Sequence, residues 1–400
     1  MIATQPIPFT NQLQYRLIRQ LYFSPASTCN DLSESLGKSL PIIARALNEL
    51  IGSGIVQELG YAPSNGGRPP LIYSLKPENM YILAVAMDQL YTRIVVLDLA
   101  NRFVFPIERI ELKLLDNKEA LNILTHSLQE VIARLGKDRK KIIGIGIGMP
   151  GFVNTRSGNN LTYLPTNSDE SVRDYLERHL ELPVHIENDA SVLALAELKE
   201  GLAKGLQDVM VIDIGWGVGL GMIVKGELFR GHSGYAGELS HIPISESNTL
   251  CECGKRGCLE TEATLRVVAK RAIEEIRVGK VSSLKLQESP EAMSESVMAA
   301  ANQGDQYAIE LLTEMGLKIG KAIAILIHIV NPELIILGGR GAEVGKILIA
   351  PIQQALNRYC IPRLAEHTEV KVSRLGHDVG LIAAAALVME KFGESLQPTP

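Results

Sequence analysis

The sequence predicts an α/β protein, a small helical domain closed by a β-hairpin and followed by a larger two-lobed α/β body. Three observations carry this. Apolar residues recur at helical spacing through the first fifty residues, then give way to two strand-like runs around a Gly- and Pro-rich turn. From residue 79 onward, apolar strands alternate with helical patterns. One unit, an apolar strand ending in Asp, a turn and a second apolar strand, occurs twice.

The first helix is expected over Gln12 to Tyr22, where Leu13, Leu17, Ile18 and Leu21 share a face, and Pro25 and Ser27 end it. Thr28 caps a short helix holding Leu32 and Leu36, and Gly37 stops it. Ser39 caps a longer helix, with Ile42, Ile43, Ala46, Leu47, Leu50 and Ile51 on the buried side. Two helices joined by a Gly-containing turn make a helix-turn-helix. A strand from Ile55 to Tyr61, a turn from Pro63 to Pro70 and a strand from Leu71 to Leu75 complete a winged helix over residues 1–78. Such a domain reads double-stranded operator DNA. Lys38, Ser39, Arg45 and Asn48 fall near the major groove and its phosphates, and Arg68 on the slim Gly67-Arg68-Pro69 tip suits an A·T-rich minor groove. The alternative is a hairpin used for protein contact. Net charge is −5 overall, but residues 1–80 hold six Lys or Arg against five Asp or Glu, about +1, leaving about −6 for the rest.

The body opens with the strand Tyr81 to Asp88, a turn from Gln89 to Thr92 and the strand Ile94 to Leu99. Val209 to Asp213, the turn Ile214 to Gly217 and Val218 to Val224 repeat the scheme. Between them lies the buried strand Lys141 to Gly151, and a helix over about 305–330 precedes the strand Leu334 to Leu337. The expected lobes are 79–200, joined by a C-terminal helix at about 378–392, and 201–377. Paired hairpins with an Asp at each strand end resemble the actin, hexokinase and Hsp70 superfamily, in which the two turns grip ATP phosphates. No apolar run reaches about 18 residues, and Met1 to Asn11 lacks a signal-peptide layout, so a cytoplasmic protein without membrane insertion is expected. The tail from Gly393 to Pro400 is expected to be disordered.

Three of the five cysteines fall within eight residues. With His241 they give His-x9-Cys-x-Cys-x4-Cys, from Cys251, Cys253 and Cys258. Three thiolates and an imidazole satisfy tetrahedral Zn²⁺ and leave no position for water, so the site is structural. Gly254 and Gly257 permit the tight turns it needs. Cys29 and Cys360 read as lone buried cysteines.

Gly237-Glu238-Leu239-Ser240-His241, followed by the Cys-Glu-Cys-Gly-Lys-Arg-Gly-Cys-Leu-Glu run at 251–260, resembles the signature of the ROK family of repressors and sugar kinases. Glu187-Asn188-Asp189-Ala190 resembles its sugar segment, and Gly217 to Gly221 with Gly231 its glycine-rich signature. The resemblance covers residues 80–390, and the winged helix in front matches the repressor branch. It implies that Asn188, Asp189, Glu238, His241 and Glu260 hold sugar hydroxyls, that zinc aims His241, and that Asp189 stands where a kinase keeps its general base. It also implies a homodimer or homotetramer. Ser240 replaces the usual glycine, which predicts a local shift rather than loss of the metal.

Kinases of this family read Asp-x-Gly-Gly-Thr and Gly-Thr-Gly at the two phosphate loops. This chain has Asp88-Gln89-Leu90-Tyr91-Thr92 and Gly215-Trp216-Gly217. Leu90, Tyr91 and Trp216 obstruct the close approach of backbone N–H groups to phosphate. ATP is therefore not expected as a cofactor, and the reading is a sensor for a sugar or sugar phosphate. A bifunctional kinase, which retained Asp189 and Asn331-Pro332-Glu333 favour, and a scaffold for a protein partner are the competing readings.

Overall fold

A computed structural model describes residues 11–63, 69–166, 169–376 and 378–393. The chain divides into two compact units, Met1–Asn188 with Gly380–Pro400, and Asp189–Val379.

The first unit opens with α1 (Gln12–Phe23), β1 (Ser27–Thr28), α2 (Cys29–Leu36), α3 (Leu40–Gly52), β2 (Val56–Tyr61) and β3 (Leu71–Leu75). Thr28 and Asp31 form a reciprocal capping box at the start of α2, and Gly37 ends it in the left-handed region at φ +61°. Ser39 sits at the N-cap position of α3, but its side chain makes no capping hydrogen bond. The small sheet has order β1-β3-β2. Its two-residue first strand was not expected from the sequence. The expected buried side of α3 needs correction: Ile43, Ala46, Leu47 and Leu50 are buried, Ile51 is half-buried, and Ile42 is exposed. Cys29 is half-buried rather than buried.

A five-stranded sheet follows, with β4 (Tyr81–Met87), β5 (Tyr91–Asp98), β6 (Glu108–Glu111), then α4 (Ala120–Arg134) and β7 (Ile142–Met149). A short hairpin of β8 (Val153–Asn154) and β9 (Asn159–Asn160) leads to α5 (Val172–Leu180) and β10 (Val184–Asn188). The order is β10-β7-β4-β5-β6. Tyr91 and Thr92, expected in the turn, are already strand, paired with Glu111 and Ile110, as an aromatic and a β-branched residue favour.

The second unit contains α6 (Asp189–Glu200), β11 (Val209–Ile214), β12 (Val218–Val224), β13 (Glu227–Leu228), α7 (Leu265–Arg277), α8 (Pro290–Asn302), α9 (Gln306–Val330), β14 (Leu334–Gly338), α10 (Gly345–Tyr359), α11 (Pro362–Ala365) and β15 (Glu369–Val372). Its sheet runs β13-β12-β11-β14-β15. In both sheets a central antiparallel hairpin carries a third antiparallel strand on one side and two parallel strands on the other. The repeated unit is thus a repeated sheet. The break falls at Asn188/Asp189 rather than at 200/201, because α6 lies on β12: a Cβ added to Gly221 would stand 2.3 Å from Ala190 O.

α12 (Val379–Lys391) returns to the first unit. It packs equally closely on β7, where a Cβ at Gly146 would lie 1.9 Å from Ala384 O. One continuous core joins the winged helix to the sheet and to α12, with Leu17, Ile43, Leu47, Ala84, Val95 and Leu381 among its members. Tyr15 meets Phe392 with ring centroids 5.1 Å apart, and Arg19 Nη1 donates to Glu390 O at 2.9 Å. No helix among the described residues is long and apolar enough to cross a membrane. Arg68, the N-terminal stretch through Thr10 and the tail from residue 394 lie outside the described residues.

Candidate metal and ligand site

The 240–260 segment folds back on itself so that ligands distant in sequence meet. Ile244 N–H donates to Gly257 O, Leu259 N–H to Ile242 O, and Cys251 N–H to Lys255 O. Gly257 takes φ +72°, and a Cβ there would stand 2.1 Å from Ser245 O, so the loop closes only with glycine. His241, Cys251, Cys253 and Cys258 consequently present four ligand atoms within 4.8 Å of one another. Cys251 Sγ lies 3.6 Å from His241 Nδ1, and Cys253 Sγ lies 3.6 Å from Cys258 Sγ. Zn–S bonds of about 2.3 Å place tetrahedral ligands about 3.8 Å apart, close to both of these separations. Burial, reinforced by the neighbouring thiols, pushes the Cys258 thiol up to about 12. A dication bound among the sulfurs would supply the charge that makes all three thiolates at neutral pH. Ser240 leaves this gathering intact.

His241 faces two ways. With Nδ1 on the sulfur side, Nε2 lies 3.9 Å from Glu238 Oε2. Glu238 is half-buried, and its carboxyl is raised to about 7, first by burial and then by the charge of Asp189. Near neutrality it can therefore both donate and accept a hydrogen bond. Burial also raises Glu260, and Asp189 adds to that shift. Asp189 opens α6, and its Oδ1 accepts from Ala190 N–H at 2.9 Å. Within the second unit, then, Asp189, Glu238, His241 and Glu260 share one locale. Asn188 ends β10 of the first unit, with its amide donating to Gly151 O at 3.2 Å.

Two groups beside these were not singled out from the sequence. Glu260 Oε2 accepts from Val218 N–H at 3.2 Å, and Arg266 lies 3.8 Å from Glu260 Oε1 and 2.8 Å from Glu252. Arg266 stands in the first turn of α7, where one cation in a charged helix carries no distinguishing signal.

The first expected phosphate turn is closed on itself. Leu90 N–H donates to Asp88 Oδ1 at 2.8 Å and Asp88 N–H to Tyr91 O at 3.0 Å, while Arg109 covers the Tyr91 ring at 4.1 Å. In the second, Gly215 N–H donates to Gly217 O at 2.8 Å, with half-buried Trp216 between them. Glu333 of the Asn-Pro-Glu segment accepts from Gln207 and Asp208 N–H groups. Among the DNA candidates, Lys38, Ser39 and Asn48 are exposed, and Arg45 pairs with Glu49 at 3.2 Å.

Residues 113–391 match the family model described as "ROK family". A glucokinase of Halalkalibacterium halodurans is 36% identical over 261 residues, 64% of this chain and 78% of that one. The DNA-binding transcriptional repressor Mlc of Escherichia coli K12 is 28% identical over 379 residues, covering 94% of this chain and 91% of Mlc. A crystal structure described as a ROK family transcriptional regulator, homolog of the E. coli MLC protein, superposes with a TM-score of 0.77 at 25% identity, over 96% of this chain and 97% of that one.

Proposed function

Because the chain belongs to the ROK family, we propose that it is a DNA-binding transcription repressor of sugar-utilisation genes, with a zinc-containing body that senses a sugar or sugar phosphate. The carrying observation is coverage. Similarity to a repressor spans 94% of the chain, which requires most of the first 78 residues, whereas the glucokinase match spans 64%. The chemistry of the second unit supports the sensing part: carboxylates at Asp189, Glu238 and Glu260 accept from vicinal hydroxyls, and His241 Nε2 stands beside them.

In this reading His241, Cys251, Cys253 and Cys258 hold zinc, which fixes the ring so that Nε2 serves the sugar. Lys38, Ser39, Arg45, Asn48 and Arg68 serve the DNA. The protein acts in the cytoplasm as a homodimer or homotetramer, and sugar binding changes the spacing of paired winged helices. Recognition helices that must match half-sites about 34–36 Å apart lose the operator when that spacing changes.

Operator affinity measured with and without hexoses, amino sugars and pentoses tests the proposal. It expects one class to weaken DNA binding, and equal binding with every sugar would refute it. The kinase reading is favoured by the 36% identity to a glucokinase and by Asp189. ADP release that vanishes in Asp189→Asn would establish it in place of the sensor.

A further inference from the structure

Resting on the DNA-binding reading above, we propose that Leu40 and Ile42 read thymine methyl groups in the major groove of the operator half-site. α3 is amphipathic and buries Ile43, Ala46, Leu47 and Leu50. The exposed flanks of its first turn would be polar if water were their only neighbour. Instead Leu40 is 46% exposed and Ile42 49% exposed, and with exposed Pro41 they ring the first turn.

What surrounds this apolar tip selects its occupant. Lys38 and Ser39 precede it, and among the described residues Lys38 forms no ion pair and the Ser39 hydroxyl no capping bond. The first turn of α3 carries no acid, so the helix dipole adds to the positive charge there. Arg45 follows Ile42 by three residues and Asn48 follows Arg45 by three, both on the exposed side. Among the described residues Arg45 is tied only to Glu49, an exposed pair four residues on. Such pairs are weak, so the guanidinium is easily released to a base.

Cation, apolar pair, guanidinium and amide in succession match the major groove. Phosphates line its edge, and guanine and adenine present the acceptors and donors that Arg and Asn bind. The thymine C5 methyl is the apolar group presented there. The N-terminal residues of a recognition helix are the ones that reach base edges. An apolar protein partner would have no use for the flanking cations.

The test uses the full chain. Duplexes bound by the wild type are selected from a random pool, and each thymine of the preferred half-site is replaced in turn by deoxyuridine, which lacks only the methyl. Affinities are measured at one salt concentration for the wild type, Leu40→Ala, Ile42→Ala and Lys38→Ala, with thermal unfolding to show that each variant folds. Removing a contacted methyl should weaken wild-type binding about fourfold, the ratio equivalent to burying one methylene. Ile42→Ala or Leu40→Ala should abolish the loss at its own thymine, and Lys38→Ala should leave it unchanged while weakening every duplex alike. Methyl losses that are absent in the wild type, or equal in all four proteins, overturn the proposal. So does an unchanged DNA affinity in Ile42→Ala accompanied by a change in oligomer mass, which would make the tip a protein contact. Failure of the wild type to select any duplex would instead overturn the DNA-binding reading itself.

Discussion

Replacing Cys258 by serine tests whether zinc acts on the ligand locale or only on the loop. Cys258 is fully buried, with its Sγ 3.6 Å from that of Cys253, and the described residues offer no fifth ligand to the cluster. Serine is a poor zinc ligand, so zinc content should fall from one per chain to a small fraction. The serine hydroxyl left without a partner in that interior costs about 1–3 kcal/mol. The effect on sugar is separate. With zinc bound as proposed, His241 would keep its place in the chain but lose the metal bond that fixes Nδ1 and aims Nε2 toward Glu238. Loss of such support typically costs about 10–100-fold in affinity, or roughly 1.4–2.7 kcal/mol. The assay is calorimetric titration with the sugar that most raises the wild-type melting temperature, alongside elemental zinc analysis. Operator affinity without sugar should stay unchanged, because the winged helix belongs to the other unit. Zinc-free protein that binds the sugar as tightly as the wild type would refute the link between the metal and the ligand groups.

Glu260→Ala should lower stability by about 1–3 kcal/mol, since Val218 N–H loses its acceptor, while Glu260→Gln keeps an acceptor and should lose less; calorimetric unfolding compares them. Asp305 caps α9. Burial raises its carboxyl, but bonds from Ala308 N–H, Ser283 N–H and the Ser282 and Ser283 hydroxyls outweigh that and hold it at about 2. Its folded value lies below the unfolded value of about 3.9, so its stabilisation is present above about pH 4 and lost as pH falls toward 2. The melting-temperature gap between wild type and Asp305→Asn at pH 7 should therefore close over that range. Gly146→Ala should cost at least about 1–3 kcal/mol because its Cβ would drive into Ala384 O, whereas Gly52→Ala, with open space around it, should unfold no earlier than the wild type.

The His241, Cys251, Cys253 and Cys258 cluster was legible because four residues of the right type fall in a window too short to be accidental. The duplicated sheet was legible because an apolar strand ending in Asp is visible at both Asp88 and Asp213. Ile42 was not. It lies about 90° around the helix from the centre of the buried stripe, at about 100° per residue, and its residue type alone argues for burial. The lobe boundary was misplaced because α6 is apolar on most sides, and only its close packing on β12 shows which unit it joins. Arg266 gave no signal, since a single basic residue on a helix is ordinarily a solvated one.

The repeated sheet makes the two hairpin turns equivalent positions, which can be compared within one chain. In the first, the N–H groups of Asp88 and Leu90 already bond within the turn. In the second, Gly215 N–H bonds to Gly217 O and Val218 N–H to Glu260. A phosphate taking these donors would have to displace bonds worth about 0.5–1.5 kcal/mol each, as well as pass Leu90, Tyr91 and Trp216. Both the side chains and the backbone donors of the turns thus favour sensing over phosphoryl transfer. The second turn differs in one respect, because its donor is held by a carboxylate two residues from Cys258 of the His/Cys cluster. A hydroxyl that takes Glu260 Oε2 would have to share it with Val218 N–H, so a sugar bound there would be joined to the His/Cys loop and the hairpin turn through a single side chain.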